Sequence, residues 1–156
     1  MQEKQSDYQA LKNQKVSDIS RQLAGLEGGV SYLYLRALNS CLPKTYQFPK
    51  RSRRPAKDRF NAALNYLYGV LYHQVELVLI QAGIDPELPI LHEDKVGKPA
   101  FVYDFIEPYR PWVDQVVFNL CINKRLKSSH IQPMDKDMWM SAVGKELLLE
   151  SYEGFM

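Results

Sequence analysis

Five ionisable side chains, His92, Glu93, Asp94, Asp104 and Glu107, fall close together in ILHEDKVGKPAFVYDFIEPYRP, residues 90–111. Imidazole and carboxylate groups in such a set can ligate a metal ion, but charges withdrawn from water cost free energy. Glu93, Asp94, Lys95 and Lys98 surround Gly97, which is the composition of a solvated turn. Asp104 is different, because a helical pattern sets it among Val102, Tyr103, Phe105 and Ile106, near the face that should pack. It reads either as a structurally paired carboxylate, with Arg110 as its partner, or as a metal ligand. His92 follows two apolar residues and reads either as a hydrogen-bonded residue at the core edge or as a ligand. His73, mid-helix among apolar neighbours, reads as core, and His130, in KSSHIQP, as loop.

Two other places raise the same choice. In GLEGGVSYLYL, Glu27 stands between Leu26 and two glycines at the start of an apolar helical pattern. It is either an acid favoured by the positive end of a helix dipole, or a group beside which Gly28 and Gly29 leave room for a backbone, a cation or a phosphate. The run Lys50, Arg51, Arg53, Arg54, Lys57 and Arg59 lies close to Tyr46 and Phe48. Such a run is either a solubilising face or a grip for a phosphate backbone and unstacked bases.

The elements that must position these groups are helical. A polar helix is predicted over Gln2–Val16, with Tyr8 and Leu11 as its few apolar contacts. Helical spacing resumes before Gly25 and again over Leu26–Leu38, where Val30, Leu33, Tyr34, Ala37 and Leu38 form a packing stripe. Pro43 and Pro49 bracket a loop. From Lys57 to Ala82 apolar residues recur at 60, 63, 64, 67, 71, 75, 78 and 79, a helix about 39 Å long at about 1.5 Å per residue. Asp58 caps it, Gly83 stops it, and its several apolar faces put it at the centre. A turn-rich GIDPELP follows. A helix from Ala100 is broken by Pro108 and Pro111, which begin the next, Trp112–Asn123. A polar loop then leads to a last helix over about Met138–Tyr152. No strand hairpin and no repeat is evident. The spacing predicts an all-α fold, one domain over residues 1–156, with about six to eight helices around the central helix at about 57–82.

Composition narrows the class. The chain of 156 residues is 46% hydrophobic, enough for a real core, and its net charge of +2 selects no partner. Cys41 and Cys121 form no CxxC pair, which argues against a structural zinc or redox motif and for two reduced core residues. The polar N-terminus and the lack of an apolar run of about 18 residues predict a soluble, cytoplasmic protein without membrane contact.

Four segments, in order, carry a resemblance: GLEGGVSYLYL, RSRRPAKDRFNAALNYLYGVLY, AGIDPELPILH and AFVYDFIEPYRPWVD. From about Leu23 to about Leu120 the chain resembles the CRISPR-associated endonuclease/integrase family, the catalytic subunit of the spacer-acquisition complex. The resemblance implies a helical catalytic domain that attacks DNA phosphodiesters, with water in cleavage or a 3′-hydroxyl in integration. It matches the family's metal ligands to Glu27, His92 and Asp104, and this mixed O/N set implies Mn²⁺ or Mg²⁺, with Mn²⁺ better suited to the imidazole. It implies DNA contacts by Lys50, Arg51, Arg53, Arg54, Arg59 and Arg110. The implied partners are DNA, the second subunit of the adaptation complex and, in the full-length family, a second copy. Pro89 and Tyr32 depart from the family pattern without touching the ligands. The family's N-terminal β domain has no counterpart in the helical opening of this chain, so the chain looks like the catalytic domain alone. The alternative reading is a non-catalytic helical module that keeps the family core for DNA binding or assembly.

Overall fold

The computed structural model describes the backbone of residues 16–87 and 100–155. The chain divides into two compact units, Met1–Ala37 and Leu38–Met156. The described part of the first is helical: α1 runs unbroken from Val16 to Cys41. The sequence suggests an interruption at the glycines, and there is none. Gly25, Gly28 and Gly29 each weaken a helix by about 1 kcal/mol relative to alanine, but a glycine stops a helix only by turning left-handed. Gly83 alone among the described glycines has a positive φ. Glu27 therefore lies inside a helix, away from its positive end, and the dipole reading of that residue falls. Val30, Leu33 and Tyr34 of the expected packing stripe are exposed, and Leu38 is half-buried. The helix expected over Gln2–Val16 lies, but for Val16, outside the described residues.

The second unit is built around α2, Arg59–Gln81. Asp58 caps it by accepting a hydrogen bond from the Asn61 amide at 2.8 Å. At the other end Gly83, at φ +74°, lets its own amide and that of Ile84 bond back to Ile80 and Leu79. Phe60, Ala63, Leu64, Leu67, Leu71 and Leu79 are buried, the i, i+3, i+4 pattern legible in the sequence. His73 is a correction: its side chain is 69% exposed, 3.7 Å from Glu76. It sits about 200° around the helix from Leu71, so apolar neighbours in sequence are not neighbours in space.

Among the described residues, α3 (Ala100–Ile106), α4 (Arg110–Ile122), the second strand of a hairpin, and α5 (Ala142–Glu153) pack on α2. Tyr152 of α5 donates a hydrogen bond to Gln74 at 2.9 Å. The segment before α2 is also core. Phe48 stacks on Phe60 with centroids 5.1 Å apart, and the Tyr46 hydroxyl donates to the Leu126 carbonyl. These two aromatics are thus taken up by packing and present no face to a base. Cys121 is buried, which pushes its thiol up to about 12. Cys41 is exposed, contrary to the expectation of two core cysteines, because Leu42 rather than Cys41 turns inward at the end of α1.

The hairpin is a further correction. β1 (Ile131–Met134) and β2 (Asp137–Met140) pair antiparallel, with Ile131 opposite Met140 and Pro133 opposite Met138. Asp135, at φ 54°, makes the turn. The body of the fold is otherwise helical. The last helix consequently starts at Ala142, not near Met138, with the Ser141 hydroxyl accepting from the Gly144 amide at 3.1 Å. Gly144 lets α5 approach the hairpin: a Cβ there would lie 2.3 Å from the His130 carbonyl oxygen and 2.8 Å from Met140 Cε. Gly144→Ala should therefore destabilise the fold by about 1–3 kcal/mol in a urea titration, and an unchanged midpoint would show that this contact yields freely. No described helix is long and apolar enough to cross a membrane.

Candidate nucleic-acid and metal site

The basic run becomes a shaped loop because two asparagines of α2 bind its backbone. Asn61 is fully buried. Its amide nitrogen donates to the Lys50 carbonyl at 3.0 Å and to Asp58 Oδ2 at 2.6 Å. Its oxygen accepts from Arg51 Nη1 at 2.7 Å and from the Ser52 amide at 3.2 Å. One turn on, Asn65 donates to the carbonyls of Ser52 and Arg53. The Lys57 amide closes the loop on Ser52 Oγ at 3.0 Å, and the Lys57 ammonium pairs with Asp137 at 2.6 Å. With its backbone fixed in this way, the loop presents Lys50, Arg53 and Arg54 to solvent, whereas Arg51 and Arg59 are half-buried.

Arg51 has an internal role. Besides Asn61 it reaches the Ser52 carbonyl at 2.6 Å and lies 5.4 Å from the centroid of the Tyr68 ring. Arg110, from the start of α4, lies 4.8 Å from the same ring. The Tyr68 hydroxyl donates to the buried Asp114 carboxylate. Burial, and then Asp114, holds the Tyr68 pKa well above the usual phenol range, so the hydroxyl remains a donor. Burial lowers the Arg51 pKa, yet a guanidinium keeps its charge near neutral pH. Two cations from distant parts of the sequence thus meet on one tyrosine of α2.

Arg110 also binds Glu107 through Nη1 and Oε1 at 2.5 Å. The sequence offered Asp104 as the partner of Arg110; the ion pair seen is with Glu107, one turn further on. Asp104 is half-buried between the buried Val102 and Ile106. Asp104 lies in α3, and Glu107 follows its end in a 3-10 turn that leads into α4. Tyr103, next to Asp104 in the chain, meets Tyr72 of α2, with ring centroids 4.9 Å apart.

Of the three residues matched to metal ligands, Asp104 is described, the Glu27 side chain is not, and His92 lies outside the described residues. Among the described residues no three His, Cys, Asp or Glu side chains gather to hold a metal. Asp104 is an oxygen donor of the kind a hard divalent cation takes, whereas the Glu107 carboxylate is already engaged by Arg110.

Asn61, Tyr68 and Asp114 carry this arrangement, yet none stands out as a candidate in the sequence. A signal exists: Asn61, Asn65 and Tyr68, spaced by four and three, form one polar stripe in the apolar first half of the helix.

Known proteins similar to this chain point to one family. The chain is 30% identical over 135 residues to a CRISPR-associated endonuclease Cas1 of Leptospira interrogans, covering 84% of this chain and 53% of that protein. It is 39% identical over 105 residues to a Cas1 endonuclease of Thermus thermophilus, covering 67% of this chain and 32% of that protein. The chain thus spans about half the length of the first relative and a third of the second. Among solved structures, a casposase bound to integration product superposes with a TM-score of 0.81 at 25% identity, over 87% of this chain and 40% of that one. A Cas6-RT-Cas1–Cas2 complex gives 0.81 at 26% identity, over 96% of this chain and 17% of that one. Residues 1–154 match the family model described as CRISPR associated protein Cas1, and the chain belongs to that family.

Proposed function

We propose that this chain forms the phosphodiester-attacking part of a CRISPR adaptation endonuclease/integrase, acting on DNA in the cytoplasm with Mn²⁺ or Mg²⁺. The observation that carries the reading is the basic loop. Asn61 and Asn65 bind its backbone so that Lys50, Arg53 and Arg54 face outward on a fixed frame. A flexible charged segment would not need two asparagines bound to its backbone; a surface that must hold a strand in register does. The casposase neighbour, bound to integration product, and the neighbour in complex with Cas2 support DNA and Cas2 as partners.

Glu27, His92 and Asp104 are the residues that would hold the cation. A bound divalent ion would polarise the phosphoryl oxygen and stabilise charge developing on it. The chain's own contribution is positional. Arg53 and Arg54 take phosphates flanking the scissile one. Arg110 pairs with the Glu107 carboxylate, and Tyr68, fixed by Asp114, sets where Arg110 stands.

The loop is tested by replacing Arg53 and Arg54 together with alanine. The salt dependence of DNA binding should flatten by roughly one unit in log–log slope for each phosphate that is no longer held, with the melting temperature nearly unchanged. An unaltered slope would make the loop a solubilising surface and remove the main support for the reading.

A further inference from the structure

On another side of α2 lies a cavity of about 620 Å³, between this helix, the loop 54–56, the hairpin and α5. Small-molecule sites span roughly 300–1,000 Å³, so the space would take a base and its sugar. Its walls are largely apolar: Met138 and Met140 of β2, Ala62 of α2, and the ring of Tyr66. Two cations, Arg54 and Lys145, also line the cavity. The Lys145 ammonium lies 5.8 Å from the Tyr66 ring centroid, and the Arg54 guanidinium lies along α2, with Nη2 3.7 Å from where a Cβ on Gly69 would be. No acidic residue is among the described residues that line the cavity. An aromatic, methionine-lined space with two unopposed cations suits a flat apolar group that carries a phosphate.

Loop and hairpin, two of the cavity's walls, are joined to each other. The Met138 amide donates to the Ala56 carbonyl at 2.9 Å, and Lys57 pairs with Asp137. Gly144 keeps α5, and with it Lys145, close to the strand.

We infer that this cavity binds one unpaired nucleotide of a DNA strand, with the base between Tyr66 and the methionines and the phosphate between Arg54 and Lys145. The inference rests on the DNA-binding reading and extends it: Arg54 serves both the loop and the cavity, so a strand crossing the loop can leave one base here. Stacking against an aromatic residue discriminates little among bases, which suits a strand of arbitrary sequence.

The test uses the whole chain with thymidine 5′-monophosphate, thymidine, inorganic phosphate and a short oligo(dT). The monophosphate should shift the methyl signals of Met138 and Met140 and the indole signal of Trp139, which also borders the cavity. Tyr66→Leu and Lys145→Gln should each weaken oligo(dT) binding about ten-fold, by loss of a stacking face or of a charge. Both should leave duplex binding and its salt slope unchanged, which separates this test from that of Arg53 and Arg54. The inference is overturned if thymidine alone gives the same shifts, since the cations then read no phosphate and the space suits an apolar partner. It is equally overturned if inorganic phosphate competes as well as the monophosphate, or if both variants bind oligo(dT) like the wild type.

Discussion

Asp104→Asn should abolish both Mn²⁺-dependent DNA cleavage and most of the stabilisation that Mn²⁺ gives the wild-type chain. A ligand that binds only the native state stabilises it by about 2.7 kcal/mol at one hundred times its dissociation constant. For a chain of this size that is a rise in melting temperature of about 5–11 °C. Asparagine keeps the shape of Asp104 and removes its charge, so a hard cation loses an anionic oxygen ligand. The metal-free variant should melt close to the wild-type temperature, because asparagine fills the same half-buried place. Glu107→Gln belongs in the same series, since Glu107 stands one turn away and is engaged by Arg110. Loss of the Mn²⁺ response in Glu107→Gln with retention in Asp104→Asn would transfer the ligand role to Glu107. If wild type and both variants melt alike with and without Mn²⁺, the chain is a helical DNA-binding module rather than a nuclease.

The largest expected effect on stability is that of Asn61→Ala. The substitution leaves the Lys50 carbonyl, the Ser52 amide, one oxygen of Asp58 and the Arg51 guanidinium each short of a hydrogen bond in a part-buried place. Each such loss costs about 1–3 kcal/mol where water cannot replace the partner. Relaxation of the loop recovers some of this, so a net loss of about 3 kcal/mol, or 6–12 °C in melting temperature, is expected. DNA binding measured below the new transition should also fall, because the freed loop must then be ordered at the moment of binding. A loss below about 1 kcal/mol, with DNA affinity intact, would show that the loop holds its shape without the asparagine.

The long helix was legible because local signals and tertiary packing agree along it: an aspartate cap, a 3.6-residue apolar period and a glycine stop. The hairpin was not. Four residues a side give too little alternation to read, and the methionines and Trp139 in IQPMDKDMWM pass equally well for the first turn of a helix. Helix α1 is continuous where the sequence suggests a break, because glycines signal a stop only through a dihedral angle that sequence does not reveal. Tyr46 and Phe48 looked available to bases because loops are usually exposed; a partner 12 residues on, Phe60, decides otherwise for Phe48. At the site, the cations were legible as a group but their division of labour was not. Arg51 differs from Arg53 only in facing Asn61 and Tyr68, which is a property of the folded loop.

The Met138–Ala56 hydrogen bond has a consequence for self-association. Because the Met138 amide points at Ala56, the pair Pro133–Met138 is one of those in the ladder whose backbone groups face outward. On the free side of β1 that outward position is held by a proline, which has no N–H to offer. On the free side of β2 the loop already occupies the matching donor. An exposed two-stranded ribbon bearing Met134 and Trp139 would ordinarily be an invitation to strand addition. Here both edges are blunted, one by chemistry and one by coverage, so the ribbon can offer its side chains without recruiting a second chain's backbone.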